Sequence, residues 1–267
     1  THSINLLEIS IAHTSFNIAN TVMMYPFSGI LVKIAEKIAL RGKAAEDESE
    51  LIHLDDRIME TPVFAIQNCL KEIVRMGYMA YDNFKLSIDF LMTKDEEKVE
   101  KIFKREKNID KLQKAITQYM VKLCSTNINE LEKKTITSLF HTVNDIERIG
   151  DHSENIAEVT QFMIREKVRF SDVGRREMSE ICEASIKCVK NAILALENRD
   201  IDKAEEVAKG EAEVDCMEKE FRARHIERLA KLECDTTTGV AFLDTLTNLE
   251  RVSDHALNVA QSVMKRK

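Results

Sequence analysis

The sequence predicts an all-α protein: two related three-helix bundles over residues 61–267, preceded by a membrane or membrane-proximal helix. Three observations carry this. Only two Pro and seven Gly occur in 267 residues, whereas sheets and tight turns depend on both. Charged residues make up 32% and hydrophobic residues 44%, with 6% aromatic and no Trp, which is the composition of long amphipathic helices. The stretch that begins at Asp95 aligns without gaps on the one that begins at Asp200, with Lys98, Glu100, Lys104, Glu106 and Asp110 meeting the same residue types.

The first element is the least ordinary. No Asp, Glu, Lys or Arg occurs from Ile9 to Val32, although His13, Asn17, Asn20 and Pro26 interrupt the run. An uncharged stretch of about 20 residues is long enough to span a bilayer. Lys33, Lys37, Arg41 and Lys43 follow at once, and positive charge marks the cytoplasmic end. Residues 1–40 are therefore expected to be a membrane helix region, which places the protein at the cell membrane with everything from about residue 41 cytoplasmic. A buried helix of a soluble protein is the alternative. The chain opens at Thr1 with no signal-peptide pattern, as the C-terminal part of a longer protein would. Residues 41–60, dense in charge and poor in core residues, read as a linker.

Thr61-Pro62 is a helix start, with Thr as N-cap and Pro at the first helical position. Helices are expected at about 61–93, 95–124 and 128–166, then 172–198, 200–233 and 236–264. The breaks carry Asp95, Asn127, Asp172, Asp200 and Asp235, residues that favour N-caps. The six helices form two triplets, 61–168 and 169–267. Setting Asp95 on Asp200 aligns Lys98 with Lys203, Glu106 with Glu211 and Asp110 with Asp215, without gaps. In the third helices, NDIERIGDHSENIAE (144–158) lies on TNLERVSDHALNVAQ (247–261). A unit of about 100 residues used twice is a self-sufficient bundle rather than a solenoid turn.

Each unit carries Glu-x-x-x-Asp on its second helix and again on its third: Glu106/Asp110 and Glu147/Asp151, then Glu211/Asp215 and Glu250/Asp254. A spacing of four puts both carboxylates on one helix face. Two antiparallel helices can thus present four carboxylates toward one spot. With 46 acidic residues in the chain, roughly eight such pairs arise by chance, so the signal is the recurrence on the same two helices of both repeats. Glu147 also stacks in line with Phe140, Val143 and Gly150, and Glu250 with Leu243, Leu246 and Leu257, so these acids border the apolar stripe. A cation would offset their repulsion, and all-oxygen donors suit magnesium, manganese or iron. Salt-bridged helix faces are the alternative, because Lys and Arg are plentiful nearby. Asn155 and Asn258, one turn beyond the motif Asp, are placed to steady it. Arg148 and Arg251 are placed to hold an anion or, more simply, a neighbouring acid. His152 and His255 point about 100° away from the motif Asp around the helix.

Several classes are excluded. The net charge is −7 and the one basic cluster noted is Lys265, Arg266 and Lys267, which does not suit a nucleic-acid binder. Cys69, Cys124, Cys182, Cys188, Cys216 and Cys234 form no C-x-x-C pair, so they read as small core residues of a reducing compartment. No Ser-His-Asp, Cys-His or Gly-rich phosphate motif appears. A ferritin-like oxidase needs Glu-x-x-His pairs on core helices, and the one such pair, Glu50 to His53, lies in the linker. The chain is not expected to be an enzyme.

The segments DIERIGDHSENIAE and NLERVSDHALNVAQ, with Glu106/Asp110 and Glu211/Asp215 upstream, resemble the PhoU family of phosphate-signalling proteins. The resemblance implies two three-helix bundles whose eight motif carboxylates ligate multinuclear metal clusters, iron above all, with zinc, manganese or magnesium as alternatives. AHTSFNIANTVMMYPFSGILVKIAEKI (12–38) and LDDRIMETPVFAIQNCLKEIVRMG (54–77) resemble the last membrane segment and the junction of bacterial sodium/phosphate cotransporter proteins, in which a PhoU-like region follows the transport domain. That implies a regulatory region whose partner is its own upstream transport domain. Phosphate and sodium would bind only there, and a homo-oligomer is open. A free-standing PhoU-like phosphate-signalling regulator is the alternative.

Overall fold

The structure is a computed structural model that describes residues 13–18 and 51–264. Contacts divide the chain into two units, Thr1–Glu48 and Ser49–Lys267. Of the first, only an exposed helical stretch at 13–18 is described. The rest of the uncharged run, and with it most of the expected membrane segment, lies outside the described residues. Among the described residues no helix is long and apolar enough to cross a membrane. The assignment to the cell membrane is corrected accordingly.

The second unit contains six long helices and, among the described residues, no strand. They are α1 (Pro62–Thr93), α2 (Val99–Cys124), α3 (Glu130–Arg165), α4 (Asp172–Asn198), α5 (Ile201–Ala230) and α6 (Thr236–Met264). Short 3-10 turns precede α1 at Asp56–Glu60 and α2 at Glu96–Lys98.

The helix ends show which polar residues act as caps. Asp200 accepts from Lys203 N, and Asp235 accepts from Thr238 N at 2.8 Å. Asp95 caps the 3-10 turn rather than α2 itself. Asn127 is not the cap of α3. Asn129 is, because Glu132 three residues on completes a capping box, satisfying two orphan amides at once. Likewise Ser171, not Asp172, caps α4, leaving Asp172 to meet the positive end of the helix in its first turn. Thr61 makes no side-chain cap bond. The repeat is visible in the C-caps as well. Lys94 and Arg199, at equivalent positions, both take the left-handed conformation, with φ 58 and 54.

Each triplet packs as a bundle, α1–α2–α3 and α4–α5–α6, and the two are joined along α3 against α6 and α1 against α4. One continuous core runs through both, with Ile73, Phe84, Leu112, Ile116, Val143 and Ile146 in the first half and Ile181, Val189, Val214, Phe242, Leu246 and Leu249 in the second. Burying each such side chain contributes on the order of 2 kcal/mol. Gly77 allows α1 to approach α4, since a Cβ there would sit 3.3 Å from Ile193 Cγ1.

Residues 51–60, expected as the end of a linker, instead cover the base of the first bundle. Leu51, Leu54, Ile58 and Met59 pack against the core, and Tyr119 Oη donates to Asp55 O at 3.1 Å. All six cysteines are free, but only Cys69, Cys182 and Cys188 are buried, so the core reading holds for three of them.

Candidate metal centre

The second and third helices of each bundle run side by side and set the motif carboxylates opposite one another. All eight motif residues are half-buried, at the border between core and solvent. In the first bundle Glu106 of α2 faces Glu147, Asp151 and Glu154 of α3, with Asp110 one turn away on its own helix. Burial first, and then these four carboxylates, push its carboxyl up to about 7. Burial and Asp151 raise Glu147 also. In the second bundle burial, Asp254 and Asp215 raise Glu211, and burial and Asp254 raise Glu250. A carboxyl held above its ordinary range is the signature of negative charge crowded where water is partly excluded.

The side chains do not all point at one spot. Asp110 turns onto Lys114 and Asp215 onto Lys219, each at 2.6 Å. Arg148 reaches Asp151 at 3.1 Å and Glu147 at 3.7 Å, and Arg251 reaches Glu250 at 3.5 Å and Asp254 at 3.7 Å. Among the described residues no three His, Cys, Asp or Glu side chains converge closely enough, as placed, to hold an ion. The donor set suits a hard cation in chemistry, all carboxylate oxygen on two rigid helices. To bind one, however, the aspartates must leave their lysines and arginines.

Two carboxylates belong to this environment that the motif did not include. Glu154 adds its charge to Glu106 in the first bundle, and Glu218 adds its charge to Glu250 in the second. Both continue the motif at i, i+7, as 147–151–154 and 211–215–218, a spacing that stays on one face. They escape a search for recurrence because Leu257 and Gln113 occupy the equivalent places.

The polar residues expected beside the motif Asp do something else. Asn155 Nδ2 donates to Asn248 Oδ1 at 3.3 Å and Asn258 Nδ2 to Asp145 Oδ1 at 3.1 Å. Both bonds cross from one bundle to the other. His152 and His255 meet at the same junction, their rings stacked with centroids 5.7 Å apart. This polar seam ties α3 to α6.

The PhoU domain matches the sequence twice, over residues 73–160 and 176–263. The chain belongs to the PhoU domain family. A phosphate-specific transport system accessory protein PhoU homolog of Thermotoga maritima is 28% identical over 195 residues, covering 72% of this chain and 83% of that protein. The corresponding PhoU homolog of Clostridium acetobutylicum is 28% identical over 72% of this chain and 88% of its own length. The crystal structure of PhoU from Pseudomonas aeruginosa superimposes with a TM-score of 0.71 over 78% of this chain at 22% identity, which shows the shared fold. The putative inorganic phosphate export protein YjbB of Escherichia coli is 20% identical over 95% of this chain, which spans only 47% of that protein's length. These relatives are named for phosphate-specific transport and phosphate export. None of these names denotes a sodium/phosphate cotransporter, so the sodium-coupled part of the sequence expectation gains no support.

Proposed function

We propose that this PhoU-family chain is a regulator of phosphate transport, not an enzyme, and that each bundle binds metal through its four motif carboxylates. Glu106, Asp110, Glu147 and Asp151 form one donor set, and Glu211, Asp215, Glu250 and Asp254 the other. The observation that carries the reading is the placing of these carboxylates opposite one another at equivalent places in both repeats, where burial first and then the neighbouring carboxylates push Glu106 up to about 7. A bound cation relieves their repulsion, and an all-oxygen set accepts iron, manganese or magnesium, with zinc as a further candidate. Occupancy of the two sites then gives the bundle pair a state that a transport component can recognise.

Elemental analysis of protein purified without chelator tests the metal. The double variant Asp151→Asn, Asp254→Asn keeps side-chain shape, so it should keep its helicity and lose metal. Unchanged metal content in that variant, or none in the parent, leaves only the salt-bridged reading of these helices.

A second reading has its own observation. The match to the phosphate export protein covers 95% of this chain and under half of that protein, so it extends well outside the two PhoU repeats. It supports a regulatory part of a longer phosphate-exporting protein, whereas the higher identity to accessory homologs matched over 83% and 88% of their own length supports a chain that acts as an accessory protein. Phosphate efflux from cells carrying or lacking residues 51–267 distinguishes the two.

A further inference from the structure

The N-terminal half of α3 meets α6 along a groove whose lining side chains the repeat does not reproduce. The groove beside the N-terminal half of α3 has a volume of about 1090 Å³, and its walls include Lys134, Ser138, His141, Arg199 and Gln261. Lys134, Ser138, His141 and Asp145 follow at spacings of four, three and four, one continuous stripe of α3. Asp145 at the inner end is already engaged, its Oδ1 held by His255 and Asn258. Arg199 enters from the left-handed C-cap of α4. Among the described residues Lys134, His141 and Arg199 have no side-chain hydrogen bond or ion pair, whereas the adjacent Lys133 and Lys203 are each paired with a glutamate.

The register that places Asp145 on Asn248 gives the counterparts. Lys134 corresponds to Thr237, Ser138 to Ala241, His141 to Asp244 and Gln261 to Glu158. Lys94, the counterpart of Arg199, is drawn off onto Met163 Sδ at 3.3 Å and the face of Phe170. These differences add a donor or remove an acid on the α3 side, while Asp145, set against Asn248, adds an acid that His255 and Asn258 already engage. The junction itself forms with either set, so packing does not account for the bias.

We infer that this groove binds a phosphate-bearing small anion. Lys134 and Arg199 supply charge from two different helices. The Ser138 hydroxyl, the Gln261 amide and a His141 ring N–H supply donors. Two separated cations with neutral donors between them suit a tetrahedral group with several acceptor oxygens better than a planar carboxylate, which a single guanidinium already satisfies. The volume lies just above the usual range for small-molecule sites, leaving room for more than one phosphate. None of the eight motif carboxylates lines the groove, so the inference goes beyond the metal reading and stands apart from it.

Isothermal titration of the full chain, with and without prior chelation, tests it with inorganic phosphate, tripolyphosphate and ATP. Tripolyphosphate should bind equally well with and without chelation. Lys134→Ala with Arg199→Ala should weaken it by at least about tenfold, and Lys133→Ala should not. The single variant Lys134→Gln, checked by its melting curve, should show a smaller loss in the same direction. ATP binding tighter than tripolyphosphate, or inorganic phosphate matching it, identifies the source while supporting the site. The inference is overturned by no binding of any probe up to about 1 mM, by an equal loss in Lys133→Ala, or by binding that vanishes on chelation. That last result would leave the metal proposal standing.

Discussion

His255 Nδ1 lies 2.9 Å from Asp145 Oδ1 across the junction of the two bundles, and its repeat equivalent, His152 Nδ1, lies 2.8 Å from Asn248 Oδ1. The two halves therefore make the same contact with different acceptors, a carboxylate on one side and an amide on the other. Only an acceptor oxygen is common to both, which identifies it as what the junction requires.

Asp145→Asn should thus be tolerated, while Asp145→Ala should not. The alanine variant loses the bonds from both His255 and Asn258 and leaves polar atoms half-buried. That costs about 1–2 kcal/mol, against at most about 0.5 kcal/mol for the asparagine. Urea unfolding with linear extrapolation measures both. Equal losses would show that the charge of Asp145, rather than its oxygen, holds the seam.

A second prediction concerns Gly210. A Cβ on this residue of α5 would lie 2.7 Å from the sulfur of Cys188 on α4, which is buried. Alanine raises helix propensity by about 1 kcal/mol over glycine, but overpacking a filled core costs about 1–3 kcal/mol. Gly210→Ala alone should be destabilising. In a Cys188→Ala background the same change should be neutral or stabilising, because the sulfur is gone. A double-mutant cycle reads the coupling, and additive effects would show that the helices simply move apart.

A third concerns Glu177, which is only 5% exposed. Arg228 grips it with two bonds, at 2.6 and 3.1 Å, and Arg224 adds a longer contact at 3.6 Å. Removing one partner of a buried pair is costly, whereas replacing both with apolar groups often is not. Arg228→Ala should lose about 3 kcal/mol, and Glu177→Met with Arg228→Met much less. Thermal and urea melts of the two variants decide it. A double variant no better than the single would mean that the pair itself, not the stranded charge, stabilises the second bundle.

Helix positions were legible in the sequence because the signals are local: Pro at the start of α1, Asp before α5 and α6, and long periodic apolar stripes between them. The motif carboxylates were legible because they recur. What was not legible depends on the third dimension. Asn155 and Asn258 sit at a spacing that suggests support for Asp151 and Asp254, yet they reach the opposite bundle, and no intrahelical spacing encodes which neighbour an exposed amide will meet. Glu154 and Glu218 were hidden because each occurs in one repeat only. Glu72 and Glu177, buried at equivalent positions of α1 and α4, were hidden for a different reason. A lone Glu on an amphipathic helix looks solvated until its arginine, Arg75 from the same helix or Arg228 from another, is known.

The last prediction follows from Glu106. Its carboxyl is pushed up to about 7 by burial and by Glu154, Asp151, Asp110 and Glu147, against an unfolded value near 4.5. Between those values the folded chain holds a proton that the unfolded chain has released, so stability falls as pH rises. The contribution is fully present below about pH 4.5 and is lost as pH passes through about 7. Glu147, Glu211 and Glu250 are raised too and act in the same direction. These groups are half-buried at the border with solvent, so screening limits the effect of Glu106 to about 1 kcal/mol. Metal-free protein should therefore melt at a lower temperature at pH 8 than at pH 5.5, and Glu106→Gln should flatten the difference. Bound metal should reverse the sign, because ligation needs ionised carboxylates and strengthens as they lose protons. Melting curves across this range, with and without added metal, separate the two regimes. A metal-free chain that grows more stable toward pH 8 would show that Lys114, Arg148 and their counterparts already neutralise the cluster.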